Sequence, residues 1–251
     1  MLEILILSAI QGITEFLPIS SSAHLVLLSK FFSSDNNLTL ELSLHFGSLL
    51  AIIFFFKRDI KETILNKNLF FKIILTSVPI SVVGFILIKI DLLNSLRTLK
   101  IIGWTSIIFA ILLYLSDLKN FNKNINENLD YKVVFIIGIF QILSIIPGVS
   151  RSGITLTGAR YLNFSRIEAA KISFLTSVPI LTIASFYNLF SILSKNNFEL
   201  SVENFIGVLA SFLFSYITLK VFLNFLRKFN LSVFVIYRIL IGLIILWYVY
   251  S

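Results

Sequence analysis

Between Gln11 and His24 the chain reads Gln11-Gly12-Ile13-Thr14-Glu15-Phe16-Leu17-Pro18-Ile19-Ser20-Ser21-Ser22-Ala23-His24. A carboxylate, a serine run and an imidazole are gathered at a proline break inside an otherwise apolar segment. Ionisable groups are costly inside a bilayer and usually mark a functional cavity there. Gln11 and Glu15 are four residues apart, which puts them on one helical face. Ser21 and His24 are three apart, a spacing that suits a hydroxyl nucleophile and its base if the second arm is helical from about Ser21. Ser20, Ser21 and Ser22 acting only as a helix cap, with His24 at the water interface, would leave Glu15 unexplained.

A second cluster reads Pro147-Gly148-Val149-Ser150-Arg151-Ser152-Gly153. Gly148 and Gly153 relax the backbone, so amides near Ser150 and Ser152 can turn toward an anion at a helix start. Arg151 offers a planar donor fork that matches phosphate geometry. An arginine at mid-membrane costs about 2.5–3.5 kcal/mol on the translocon scale, which an anionic ligand would offset. The bland alternative is an arginine that satisfies the carbonyls of a broken helix. Other polar residues carry less. His45, beside Gly47, reads as a packing or interfacial residue, and Arg238 as internally paired or snorkelling. Glu168, Lys171, Glu3 and Glu41 read as ordinary residues of span ends, and the many phenylalanines as lipid-facing bulk.

The elements that must position these clusters follow from composition. The 251 residues are 57% hydrophobic and 14% charged; a soluble domain would be about 25% charged. A bilayer is the solvent that accepts such a chain. Six stretches are long enough to cross about 30 Å of hydrocarbon: about 39–56, 69–90, 99–116, 168–190, 204–223 and 232–250. Two more apolar segments break: about 2–17 at Pro18, resuming over 24–33, and about 132–146 at Pro147-Gly148, resuming over 154–162. Arms that short cannot cross alone, so both read as re-entrant hairpins, tolerated only where they are buried or line a watery cavity.

Loop charge gives an orientation. The 57–68, 117–131, 163–167 and 224–231 connections carry Lys57, Arg58, Lys61, Lys67, Lys119, Lys123, Arg166, Arg227 and Lys228. The 34–38, 91–98 and 191–203 connections carry only Arg97 and Lys195, so the first set is expected in the cytoplasm and both termini outside. The net charge of +8 follows these loops rather than one soluble face, so no nucleic-acid partner is expected. The absence of cysteine excludes thiol chemistry and disulfides. The N-terminal segment lacks the basic region of a signal peptide and is expected to be retained. Each half reads as a broken hairpin followed by three spans, 1–116 and 132–251 about a 117–131 cytoplasmic linker. With hairpins opening on opposite sides, the halves form inverted repeats in a single transmembrane domain. Thr76-Ser77-Val78-Pro79-Ile80 recurs at 176–180, an offset of 100 that does not fit this repeat and reads as chance or convergent kinking.

No His/Cys metal motif is present. Glu15 with Gln11 could still help hold a hard cation whose other ligands were phosphate oxygens and water. Inverted repeats with broken helices are also a transporter architecture, so an anion carrier or a lipid-phosphate flippase is the rival reading. A carrier, however, needs no nucleophile beside a base.

The two motifs together, Gly12-x-Thr14-Glu15-Phe16-Leu17-Pro18-x-Ser20-Ser21 with His24 and Pro147-Gly148-x-Ser150-Arg151-Ser152-Gly153, resemble those of the undecaprenyl-diphosphatase family, the bacitracin-resistance type of membrane phosphatase. The resemblance runs over essentially the whole chain. It implies an all-α polytopic membrane protein of six transmembrane helices plus two re-entrant hairpins in inverted repeats. It also implies hydrolysis of undecaprenyl diphosphate to the monophosphate carrier used in cell-wall synthesis, at the bacterial inner membrane, with the site open to the outer face. Glu15, Ser21, His24 and Arg151 are then the expected catalytic set. Gln11, Ser20, Ser22, Gly148, Ser150, Ser152 and Gly153 are the expected substrate-binding groups. A divalent cation, Mg or Ca, is implied, with Glu15 and Gln11 as its protein ligands; a homodimer is allowed. Two positions depart from the pattern: Gln11 stands where many relatives have Glu, and Ala23 where Gly is usual.

Overall fold

Six apolar helices and two broken ones account for nearly all of the computed structural model, which describes residues 1–32, 38–90, 95–118, 121–194 and 202–251. Much of the second set of connections, with Lys195, lies outside the described residues. The long helices are α3 (Leu38–Phe55), α5 (Lys67–Lys89), α6 (Leu99–Asp117), α10 (Arg166–Ser194), α11 (Val202–Leu226) and α12 (Ser232–Tyr250). These are the six expected spans, each within a few residues of the stretch read from hydropathy. Their outward faces carry Val82, Phe85, Leu213, Val221, Leu240 and Ile244, all exposed, as lipid contact requires.

The two broken segments are α1 (Leu2–Thr14) with α2 (Ser21–Phe32), and α8 (Tyr131–Ile142) with α9 (Arg151–Tyr161). A 13-residue helix such as α1 rises only about 20 Å, short of the hydrocarbon thickness. Both second arms start three residues earlier than expected, at Ser21 and Arg151. The serines cause this: Ser150 precedes α9 and its Oγ accepts the Gly153 amide at 3.1 Å, the N-cap bond that starts a helix. Ala23 therefore sits inside α2 and is buried against Ile102 and Ile245, rather than in a turn.

The connections differ from simple loops. Residues 57–65 form a helix, α4 (Lys57–Leu65), bent 74° from α3, with Lys57, Arg58 and Lys61 exposed and Thr63 buried. The 117–131 linker holds a short helix, α7 (Ile125–Asn128), and buries Ile125 and Leu129 in the core. Glu168 is not merely interfacial: its Oε2 accepts the Ile125 amide at 3.1 Å. Lys123 and Phe164 form an isolated parallel bridge.

Close approach holds the bundle together. A Cβ on Gly47 would lie 2.4 Å from the Val208 carbonyl oxygen, and one on Gly12 would lie 2.6 Å from Phe214 Cβ. These small residues let α3 and α1 press against α11. Ser48, Ser211 and Ser215 add a hydroxyl ladder at 3.0–3.1 Å across the α3–α11 contact, ending on the Leu44 carbonyl. The phenylalanines are not all lipid-facing. Phe16, Phe164, Phe174 and Phe222 are fully buried, and Phe16 meets Phe174 edge-on at 5.8 Å, a geometry aromatic pairs favour. This cluster seats the residue next to Glu15 and so fixes where α1 ends. In packing, α1 lies on α11 as α8 lies on α5, while α6 pairs with α12 and α3 with α10.

Candidate active site

Glu15 lies one residue past the end of α1, almost fully buried, and gathers three donors. Arg151 Nη2 reaches its Oε1 at 2.6 Å. Ser21 Oγ donates to Oε2 at 2.8 Å, and Gln11 Nε2 to the same oxygen at 3.0 Å. The two broken helices thus meet at one carboxylate, although Glu15 and Arg151 are 136 residues apart in sequence. Each donor comes from a place the sequence dictates. Gln11 is one turn before Glu15, Ser21 opens α2 and Arg151 opens α9.

The backbone at both breaks is unusual in the same way. Ser20 has φ +75° and Ser150 has φ +70°, a left-handed conformation uncommon outside glycine. In each case the serine Oγ lies near that of the serine two residues on, Ser22 at 3.3 Å and Ser152 at 3.2 Å. Ser152 Oγ also donates to the Leu17 carbonyl at 2.7 Å, tying one break to the other. Gly148 has φ +89°, and a Cβ there would lie 2.1 Å from Thr105 Oγ1. That hydroxyl donates to the Pro147 carbonyl at 2.7 Å.

Arg238, in the middle of α12, locks the two breaks together. Its Nη2 donates to the Gly148 and Val149 carbonyls at 2.9 and 3.0 Å, and its Nη1 to the Pro18 carbonyl at 3.3 Å. The task of satisfying broken-helix carbonyls therefore falls to Arg238. Arg151 is left for a ligand: its Nη2 holds Glu15, while its buried Nη1 has no protein acceptor. Unpaired buried donors are expensive, and a phosphate oxygen would complete this one. The first-turn amides of Arg151 and Ser152, which have no helical carbonyl to bond, open the same helix.

Several expected groups do other work. His24 is not the partner of Ser21: its Nδ1 lies 2.7 Å from the Ser20 carbonyl and its Nε2 2.6 Å from Tyr237 Oη. Ser21 is bonded to Glu15 instead. The geometric reason is that α2 begins at Ser21, so the His24 side chain turns back onto the carbonyl one turn earlier. The Gly153 amide is taken by Ser150, and a Cβ on Gly153 would lie 3.0 Å from Arg238 Nη1. Gly148, Ser152 and Gly153 thus shape the breaks rather than present free donors. His45 belongs to the cluster after all, with Nδ1 2.9 Å from Gln11 Nε2 and 3.8 Å from Glu15 Oε2.

The residues that sequence reasoning passed over are His45, Tyr237, Arg238 and Thr105. A lone guanidinium centred in an apolar span was a usable signal for Arg238; a tyrosine or threonine in such a span carries none. Two apolar grooves of about 480 and 520 Å³ open between α5 and α10 and between α3, α10 and α11. No residue of the carboxylate cluster lines either, so they are lipid-facing clefts.

For a divalent cation the fit is partial. Among the described residues no group of three His, Cys, Asp or Glu converges, and the Glu15 oxygens already serve a guanidinium, a hydroxyl and an amide. Gln11 Oε1 is the one buried acceptor of the cluster without a protein partner. These groups do not build a cation site of their own; they fit a cation that arrives already bound to a diphosphate.

A bundle of apolar helices with a carboxylate-bound serine and a half-free arginine at two intramembrane breaks defines a polytopic membrane protein built for phosphate chemistry. Residues 4–244 match the family model described as bacitracin resistance protein BacA, and the chain belongs to that family. The chain is 47% identical to an undecaprenyl-diphosphatase of Pelagibacter ubique, over 100% of this chain and 98% of that protein. It is 38% identical to one of Saccharophagus degradans, over 96% and 95% of the respective chains. A third, of Wolinella succinogenes, is 36% identical over 97% and 96%.

Proposed function

We propose that this protein hydrolyses undecaprenyl diphosphate to undecaprenyl phosphate and inorganic phosphate, with Glu15, Ser21 and Arg151 as its reacting centre. The observation that carries the reading is the pair of contacts on Glu15. A hydroxyl sits 2.8 Å from a carboxylate that can take its proton, and an arginine 2.6 Å from the same carboxylate keeps a second nitrogen free. Arg151 Nη1 binds an oxygen of the terminal phosphate. Ser21 Oγ attacks that phosphorus, its proton passes to Glu15 Oε2, and the bond to the bridging oxygen breaks, releasing the lipid monophosphate. Water then hydrolyses the phosphoserine and returns the proton to Ser21. Phosphoryl transfer depends chiefly on positioning and charge stabilisation, and a site pinned by Arg238, Thr105 and Ser152 supplies both.

A divalent cation, magnesium or calcium, enters on the diphosphate and neutralises part of its charge, with Gln11 Oε1 the protein oxygen left to face it. The halves 1–116 and 132–251 are inverted repeats about the 117–131 linker. The paired packing of α1 on α11 and α8 on α5 supports this, as do the matched left-handed serines at the two breaks. The protein lies in the bacterial inner membrane with the basic 57–68 connection inside and the site open to the outer face. The carboxylate-bound serine favours hydrolysis over transport, because a carrier has no use for it.

The test is inorganic phosphate release from undecaprenyl diphosphate by purified protein in detergent, where no gradient exists. Turnover in the parent and its loss in Ser21→Ala are expected. No phosphate release by well-folded parent protein overturns the reading. Full turnover by Ser21→Ala leaves the phosphatase but replaces the serine by a Glu15-activated water.

A further inference from the structure

The contact between His24 and Tyr237 lies outside the two sequence motifs and outside the Glu15 cluster, and it rests on the phosphatase reading only for its consequence. His24 Nδ1 is 2.7 Å from the Ser20 carbonyl, which can only accept, so the ring proton is on Nδ1. Nε2 is then a lone pair in the neutral ring. Tyr237 Oη, 2.6 Å away, must be the donor to it. The two rings are parallel to within 6°, with centroids 5.7 Å apart, so the tyrosine also fixes the plane of the imidazole. Tyr237 precedes Arg238, whose guanidinium grips Pro18, Gly148 and Val149. The register of α12 on the two breaks is therefore the register of Tyr237 on His24.

From this geometry we infer that Tyr237 is a positioning residue of the reaction, holding His24 in the Nδ1–H tautomer with Nε2 as the only atom that can receive a proton. Tyr237 is 37% exposed whereas Ser20 is 2% exposed. The chain Ser20 carbonyl, imidazole, phenol thus runs from the buried break toward the surface. A proton reaching or leaving His24 Nε2 passes the Tyr237 hydroxyl. Ser21 gives its proton to Glu15, so His24 serves the other half of the cycle, orienting the water that cleaves the phosphoserine.

Tyr237→Phe tests this, since it removes one oxygen and keeps the ring. Loss of a hydrogen bond of ordinary strength predicts a fall in kcat of about 2- to 12-fold with KM little changed. In a His24→Gln background the same change should cost nothing further. Because the chain has only two histidines, the ¹⁵N spectrum of labelled protein assigns His24 by difference from His45→Gln. The His24 Nε2 resonance should move toward that of a free acceptor nitrogen in Tyr237→Phe. The spectrum needs no turnover, so it stands even if no phosphate is released. An unmoved resonance, an unchanged kcat, or an equal loss in the His24→Gln background overturns the inference.

Discussion

Arg151→Lys isolates what the guanidinium fork contributes beyond its charge. In the structure Arg151 has two separate tasks: Nη2 holds Glu15 Oε1 at 2.6 Å, and the buried Nη1 has no protein partner and is aimed at the phosphate. A lysine carries the same charge on one nitrogen, as a compact point rather than a planar fork. It can hold the carboxylate or the phosphate in this geometry, but not both at the distances that the arginine spans. Loss of one hydrogen bond to a charged group is worth about 1.5–3 kcal/mol, or about 10- to 150-fold in rate. The loss should fall on kcat/KM, because the substrate must compete with Glu15 for the single ammonium. Initial rates of phosphate release across a range of lipid diphosphate concentrations measure it, with a thermal melt to confirm that the variant folds. Retention of activity within about 3-fold would refute the double role, since charge alone would then suffice.

Other substitutions separate the chemistry from its scaffold. Glu15→Gln keeps shape but removes the proton acceptor, so phosphate release should fall by at least about 100-fold while the fold persists. Gly148→Ala combines a φ of +89° with a Cβ 2.1 Å from Thr105 Oγ1; this crowding should lower the melting temperature and abolish turnover together. Asp117→Asn breaks a buried carboxylate that holds Arg166 at 2.8 Å, Arg160 at 3.1 Å and the Leu231 amide at 2.9 Å. It should cost about 3–5 kcal/mol of stability yet leave the turnover of surviving folded molecules unchanged. Lys61→Cys, in a chain without native cysteine, should resist an impermeant thiol reagent applied to intact cells; ready labelling would reverse the orientation.

The spans were legible because hydropathy responds to the whole bilayer, and one substitution hardly moves an average over twenty residues. The breaks were legible because Pro18 and Pro147-Gly148 interrupt that average. Which atoms meet was less so. The sequence spacing of Ser21 and His24 suggested a dyad, but spacing does not reveal that the helix starts at Ser21 and turns the imidazole onto its own backbone. The contribution of α12 was hidden for another reason. Tyr237 and Arg238 are some 220 residues from the atoms they hold, and only the packing of the last helix on both breaks supplies that contact.

The two breaks share a backbone and differ in their side chains, and the chemistry follows from that difference. At an offset of 130 residues Gln11 corresponds to Gln141, Ser20 to Ser150 and Ser22 to Ser152. The left-handed serine and the serine pair recur with nearly the same φ and spacing. Between the paired serines, however, one half has Ser21 and the other Arg151. Glu15 is matched by Ile145, and His24 by Ile154. Gln141, buried like Gln11, has no carboxylate beside it, and its amide finds no protein partner. Two like breaks therefore make one site rather than two, because the second has lost the acid and gained the cation. The nucleophile comes from one half and the phosphate grip from the other. Neither half alone can catalyse, and the contacts that hold the breaks in register, Arg238 above all, matter as much as the groups that react.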